Sequence, residues 1–258
     1  MSDALLYEKD GGIGLITLNR PDKMNSLLPE MTDRLEELSD EIEHDDQVGV
    51  VIITGAGDKA FCAGGDLAEG VPDVAENGLE GAIADPARRF FSQVTKPLIA
   101  AVNGVCVAGG MELVLGTDLR IASETASFGI PESRWGIFPA GGATVRLPSQ
   151  IPWARAMELL LVGGMVPAEE ALSFGLVNRV VPQDEVLPTA QKFAERIMRN
   201  GPVAVRKIKE SAVRARALTW TAAFESEYEL AAEVFKTEDA KEGLRAFAEK
   251  RPPVYTGR

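Results

Sequence analysis

Two apolar runs in this chain end in the same way, and that ending constrains the fold more than any other feature. Residues 50–54 form a β-branched run that leads through Ala60-Phe61-Cys62-Ala63 to Gly64-Gly65-Asp66-Leu67. Residues 98–102 close on Asn103-Gly104 and lead through Val105-Cys106-Val107-Ala108 to Gly109-Gly110-Met111-Glu112-Leu113. Runs of this length and composition read as buried strands, and the segment after Gly109-Gly110 reads as a helix. Glycines at a strand exit permit close backbone approach, and the free N–H groups of a helix start favour negative charge. Two such N–H groups aimed at one point would make an oxyanion hole. A glycine pair also suits an ordinary tight turn, so each exit carries a carboxylate nearby and two readings.

The rest of the chain alternates strands with helices, which places it in the α/β class. Residues 5–8 and 13–19 flank the hairpin signal Asp10-Gly11-Gly12, and Met31, Leu35, Leu38 and Ile42 recur at helical spacing behind Pro29. Residues 67–95 hold glycines and acids with no apolar period and read as a mobile loop with a short helix around 86–94. After Gly116 the pattern is strand-like, and after about Ser149 mostly helical. Pro167 opens and Gly175 closes a compact helix, residues 176–181 read as a strand, and residues 185–200 as an amphipathic helix. Three further helical patterns cover 203–217, 221–236 and 238–250. The organisation expected is therefore a core with the site over residues 1–200 and a helical region over 201–258, which is a candidate for self-association or for packing on its own core.

Composition removes several classes of function. The 258 residues carry a formal charge of −12, which argues against a phosphate-backbone footprint and so against nucleic acid. His44 is the only histidine, which leaves little scope for a histidine metal site or a histidine-assisted nucleophile, and it sits in an acidic stretch that reads as a solvated helix end. Cys62 and Cys106 make no disulfide framework, and free thiols suit a reducing compartment. The N-terminus has neither an apolar secretory core nor an Arg-rich transit pattern, and residues 97–116 are too interrupted for a membrane span. A cytoplasmic protein without membrane partners is expected. The charge is uneven: residues 1–189 hold 13 Lys/Arg against 29 Asp/Glu, residues 190–258 hold 14 against 10. An anionic ligand would look first to the C-terminal quarter, unless those charges are merely solvated helix faces.

Familiar catalytic patterns fail. Ala60 stands where a dinucleotide fingerprint after Gly55-Ala56-Gly57 needs glycine, and the chain has neither a P-loop nor a G-x-S-x-G elbow. What remains is a pair of glutamates. Glu112 follows Gly109-Gly110 within one helical turn, and Glu132 lies in the turn-prone Phe128-Gly129-Ile130-Pro131-Glu132. Paired carboxylates can divide acid and base roles when proximity and burial separate their proton affinities.

The runs FCAGGDL at 61–67, NGVCVAGGMELVLGTDLRIAS at 103–123 and FGIPESRWGIFPAGGATVRLP at 128–148 resemble the signatures of the enoyl-CoA hydratase/isomerase (crotonase) superfamily. NRPDKMNSL at 19–27, AEEALSFGLVNRVVP at 168–182 and EGLRAFAEKRPP at 242–253 extend the resemblance over nearly the whole chain. It implies a spiral of ββα repeats followed by a helical region that drives trimer formation, commonly a dimer of trimers. It also implies oxyanion-hole roles for the N–H groups of Gly65 and Gly109, and catalytic roles for Glu112 and Glu132. Lys23, Met24 and Ala63 would lie along the adenine and pantetheine path of coenzyme A, with Gly64, Asp66 and Leu67 beside them. Phe247 and Lys250 would reach the nucleotide from a neighbouring subunit. Neither a metal nor a redox cofactor is implied, the coenzyme A thioester being substrate.

The implied reaction is reversible addition of water to a trans-2-enoyl-CoA, giving a 3-hydroxyacyl-CoA in fatty acid metabolism. Many hydratases of this family have glycine after the proline of segment 136–142, whereas here Ala140 follows Pro139. Trp135 and Phe138 either shape the acyl site or are core aromatics. The alternatives are an isomerase moving a β,γ double bond to α,β, a carnitinyl-CoA dehydratase-like lyase suggested by residues 244–258, and a silent acyl-CoA binding protein. A fold-related serine protease would need a histidine partner that His44 does not supply.

Overall fold

The computed structural model describes residues 3–69 and 89–258, together with Glu76 and Gly78. A hairpin opens the chain: β1 (Leu5–Asp10) pairs antiparallel with β2 (Ile13–Leu18) across Gly11-Gly12, both at positive φ as the two-residue turn requires. Helix α1 (Pro29–His44) starts with proline, whose missing N–H costs nothing there, and buries Met31, Leu35, Leu38 and Ile42 along one face.

A strand-pair spiral follows. β3 (Val50–Gly55) lies in one sheet and β4 (Ala60–Cys62) in a second. β5 (Leu98–Val102) returns to the first sheet, β6 (Val105–Val107) to the second, and helix α2 (Gly109–Leu115) leaves from β6. β7 (Leu119–Ser123) and β8 (Ser127–Gly129) repeat the step. Each turn thus adds one strand to each sheet, and the pairings β3·β5·β7 and β4·β6·β8 are all parallel. This is the ββα spiral of the crotonase fold that the resemblance implies.

The six-stranded sheet runs β1-β2-β3-β5-β7-β10, with β10 at Arg179–Val181. Both of its faces are covered, which explains why every residue of β3 is buried. Val50, Ile52, Ile99, Ala101 and Ile121 pack against Val186, Ala190 and Ala194 of the amphipathic helix α6 (Val186–Met198). The alternate residues Val51, Ile53, Leu98, Ala100 and Val102 enter the main core with α1, Phe61 and Phe128. Two asparagines hold the crossovers in shape. The Asn103 amide donates to the Gly55 and Gly57 carbonyls, and the Asn25 amide to those of Ala56 and Ala60.

The remainder is short: α3 (Ala143–Gln150), α4 (Trp153–Met157) with a π-turn over Glu158–Val162, β9 (Met165–Pro167), and α5 (Ala168–Ser173). Helices α7 (Pro202–Ala215), α8 (Trp220–Phe235) and α9 (Glu238–Glu249) end the chain, within two residues of the expected bounds. Among the described residues no helix is long and apolar enough to cross a membrane.

Two expectations need correction. The strand expected over 176–181 is confined to Arg179–Val181. The amide of Leu176 is already spent on the carbonyl of Ala171 and that of Gly175 on Leu172, closing α5 with Gly175 in the left-handed region. The helix expected around 86–94 lies outside the described residues over 86–88, and Phe90 to Gln93 form turns in which Phe90 and Phe91 have positive φ. Several basic side chains of the C-terminal quarter pair with acids within the chain. Arg206 pairs with Glu43, Lys209 with Asp118, Lys207 with Glu233, and Arg245 and Arg251 with Glu242.

Candidate active site

The two glycine-rich strand exits meet. β4 and β6 are neighbours in the second sheet, so the turns that follow them emerge side by side. A side chain at Gly64 would run into the Ala108 methyl at 2.6 Å and approach the Gly109 nitrogen at 3.2 Å. A side chain at Gly109 would stand 3.6 Å from the Gly65 nitrogen. Glycine is therefore needed at 64, where φ is +88 and the Cβ position is already taken.

The hydrogen bonds around the turns leave two donors over. Leu27 N–H donates to Gly64 O at 2.8 Å and Asp66 N–H to Leu27 O at 2.8 Å, which fixes the 63–66 turn against residues 24–27. Among the described residues the N–H groups of Gly65 and Gly109 have no acceptor. Gly109 opens α2, and the residue before it, Ala108, is held at φ 51 and ψ −125, a conformation that L side chains rarely adopt. Strain of this kind costs about 1–3 kcal/mol and persists only where surroundings over-determine it. Here it immediately precedes the first amide of α2, whose nitrogen lies beside Gly64.

Glu112 lies one turn into α2 with only 5% of its surface exposed. Its Oε1 accepts from Ala143 N–H at 3.2 Å, and Gly141 lies so close that any side chain there would fall on Oε2. Burial pushes this carboxyl up to about 7, and the charge of Glu132 adds to the rise. The amides of Ala143 and Gly141 and the Arg146 guanidinium oppose it. Glu132 opens a single 3-10 turn (Glu132–Trp135) that leaves β8, and it is 6% exposed. Its Oε2 is buried with no partner among the described residues, and burial raises its proton affinity too. The spacing therefore delivers two buried carboxyls in electrostatic reach, one of which has an oxygen without a partner among the described residues.

The other expected residues divide. Met24 O accepts from Ala63 N–H at 3.0 Å, which brings the exposed Lys23 and the half-buried Met24 and Ala63 to one strip beside Gly64. Asp66 is buried and takes a 2.9 Å bond from Arg20, which also holds Ser26. Leu67 is exposed at the turn's outer edge. Pro139 and Ala140 are half-buried, with Arg89 Nε donating to Ala140 O at 3.3 Å. Trp135 and Phe138 are 75% and 68% exposed, which overturns the core-aromatic reading of both. Phe247 and Lys250 are exposed on α9, whose packing partners are α8 and the C-terminal tail, so a single chain does not bring them to the carboxylates.

The thiols are inert where they sit. Burial pushes Cys62 up to about 12 and Cys106 well above its ordinary value, so neither provides a thiolate. His44 is exposed at the end of α1, its Nδ1 against Asp40 O at 2.8 Å. Among the described residues no group of three or more His, Cys, Asp or Glu could hold a metal ion.

Gly141 and Arg146 escape the sequence reading although both shape the site. Gly141-Gly142 is a third glycine pair at a helix start, readable by the logic applied to the other two. Arg146 leaves no local signal, because its partners are carbonyls 56 and 57 residues earlier.

The chain is similar to several known proteins over most of its length. The model of the family described as "Enoyl-CoA hydratase/isomerase" matches residues 8–258. Enoyl-CoA hydratase EchA19 of Mycobacterium tuberculosis is 41% identical over 98% of this chain and 96% of its own length. The short-chain-enoyl-CoA hydratase of Clostridium acetobutylicum is 38% identical over 96% of this chain and 95% of its own. The crystal structure of an enoyl-CoA hydratase from Bacillus anthracis superposes with a TM-score of 0.92 at 38% identity, covering 99% of this chain and 100% of the other. With the match running through both glycine turns, both glutamates and the C-terminal helices, the chain belongs to the enoyl-CoA hydratase/isomerase family.

Proposed function

We propose that the protein adds water across the α,β double bond of a trans-2-enoyl-CoA thioester, reversibly, to give a 3-hydroxyacyl-CoA. The observation that carries this reading is the pair of buried carboxyls, Glu112 and Glu132, together with two backbone amides that have no acceptor among the described residues. In the proposed mechanism the thioester oxygen takes hydrogen bonds from the Gly65 and Gly109 N–H groups. Negative charge grows on that oxygen as the enolate forms, so these donors bind the transition state better than the ground state.

Glu112, as carboxylate, takes a proton from a water whose oxygen bonds to the β-carbon. Glu132, as carboxylic acid, gives a proton to the α-carbon. The net addition is one H and one OH, and dehydration reverses the roles. A raised proton affinity suits both tasks, since Glu132 must hold its proton near neutrality and Glu112 must be a strong enough base to take one. Backbone amides and carboxyls suffice for this chemistry, so no cofactor beyond the substrate's coenzyme A is invoked. Lys23, Met24, Ala63, Gly64, Asp66 and Leu67 would bind the thioester's coenzyme A end, and Trp135, Pro139 and Ala140 its acyl end. A relative named short-chain-enoyl-CoA hydratase favours short acyl groups.

We further propose that residues 201–258 join copies of the chain into a trimer or a dimer of trimers, with Phe247 and Lys250 reaching a neighbour's nucleotide site. Exposed Trp220, Phe224, Tyr228 and Phe235 on α8 support this, because a run of large aromatics in water favours a covering partner.

A panel of purified thioesters tests the function. Loss of the conjugated-enoyl absorbance on short-chain trans-2-enoyl-CoA, with water incorporated, is expected. Turnover of β,γ-enoyl-CoA alone would make the protein an isomerase, and binding without turnover across the panel would make it a silent acyl-CoA binder.

A further inference from the structure

Arg146 lies on α3, one turn after Ala143, whose N–H holds Glu112. Its Nη2 donates to the Arg89 carbonyl at 2.6 Å and to the Phe90 carbonyl at 3.1 Å. Those carbonyls belong to a turn under strain: Phe90 and Phe91 have φ of 24 and 62, a region that large L side chains avoid unless held. The other nitrogen, Nη1, is buried between Gly116 at the end of α2 and Gly142 at the start of α3, and has no partner among the described residues. Side chains at those glycines would come within 3.2 Å and 3.6 Å of it.

Gly141 completes the arrangement. A side chain there would strike both Glu112 Oε2 and, at 2.8 Å, the Phe90 ring. The backbone at 141–143 is thus pressed between the carboxylate on one side and the strained turn on the other, with Arg146 tying that turn down.

From this the geometry points to Arg146 as the positioning residue for Glu112: it clamps the 89–91 turn onto the first turn of α3, so that the amides at 141–143 meet the carboxylate, and it supplies the positive charge behind that carboxylate. The inference deepens the proposed function, because it takes Glu112 to be the base. Of the charges that face Glu112, Glu132 disfavours its ionisation and Arg146 favours it. Those that face Arg146 are Glu112, which stabilises its charge, and Arg216 and Arg89, which oppose it. A buried guanidinium with an unpaired nitrogen, held against two other cations, is costly to the fold alone. The carboxylate it serves gives that cost a purpose.

The test compares wild type with Arg146→Met, Arg146→Gln and Arg146→Lys by the pH dependence of kcat/KM on a short-chain trans-2-enoyl-CoA. Activity should rise with pH as Glu112 ionises. In the uncharged variants the half-rise is expected to move up, because they lose both an opposite charge and the clamp that holds the Ala143 and Gly141 amides on the carboxylate. Arg146→Lys should keep the wild-type half-rise while kcat falls, one cationic nitrogen replacing a fork that bridges two carbonyls. Folded uncharged variants with an unmoved half-rise would overturn the inference. If the uncharged variants do not fold, a half-rise displaced in Arg146→Lys would overturn it instead. The infrared band of the Glu112 carboxyl, assigned by its loss in Glu112→Gln, reads the same ionisation without catalysis. If Glu112→Gln keeps wild-type activity, the assignment of the base fails; the infrared titration still decides Arg146.

Discussion

Replacing Glu112 by glutamine should destroy activity and stabilise the fold, and the stabilisation should depend on pH in a defined direction. The Glu112 carboxyl ordinarily ionises near 4.5 and in the folded chain is pushed up to about 7. Between those values the folded chain holds a proton that the unfolded chain has released. The favourable contribution of the neutral acid is therefore complete below about 4.5 and is lost as pH rises through about 7, where the fold must bury a charge. A rise from 4.5 to about 7, at about 1.4 kcal/mol per unit, makes that loss about 3 kcal/mol above pH 8. Glutamine keeps the acceptor for the Ala143 amide and has no charge to bury.

Urea unfolding of both proteins at pH 5 and pH 8.5, at one fixed protein concentration, measures the effect. The advantage of the variant should grow by about 2.5 kcal/mol between the two, because a little of the loss is already present at pH 5, a midpoint shift on the order of 1 M. Packing differences between Glu and Gln are the same at both pH values and cancel in that comparison. A variant whose advantage is independent of pH, or shrinks as pH rises, would refute the claim that burial dominates at this carboxyl.

Three further outcomes are expected. Gly141→Ala should lower kcat by about 10- to 100-fold and lower the melting temperature as well, since the new methyl would fall on the buried Glu112 carboxyl and on the Phe90 ring; unchanged kcat would count against it. Gly163→Ala should cost about 1–2 kcal/mol and also lower kcat. Its φ of +67 suits glycine, and the methyl would stand 3.3 Å from backbone Pro131 and 2.8 Å from Arg134, beside Glu132. Thermal melting with kcat on the same samples checks both effects. Light scattering should give three or six chains per particle, and a monomer at micromolar concentration would reject the proposed role of α8 and α9.

What could be read from the sequence is what local chemistry encodes. Pro29 and the Met31, Leu35, Leu38, Ile42 spacing define α1, and glycine pairs after apolar runs mark both amide-presenting turns. Glu112 was legible because its helix starts at one of those pairs. Long-range geometry was not legible. That Leu176 extends no strand follows from its amide being taken by Ala171. That Arg146 serves Glu112 depends on carbonyls far away in sequence. Trp135 and Phe138 look like core residues by type, and only the path of the chain after Glu132 leaves them in solvent. The basic excess after residue 190 suggests an anion site, and only folding shows that Arg206 and Lys209 are held by Glu43 and Asp118.

The central claim is that two carboxyls divide the acid and base work over a water. Its most direct measurement is kcat on a short-chain trans-2-enoyl-CoA for wild type, Glu112→Gln, Glu132→Gln and the double variant. Each single change is expected to lower kcat by about 100-fold or more, and the double variant to fall by much less than the product, since one group's loss already idles the other. Wild-type kcat in either single variant would contradict the account.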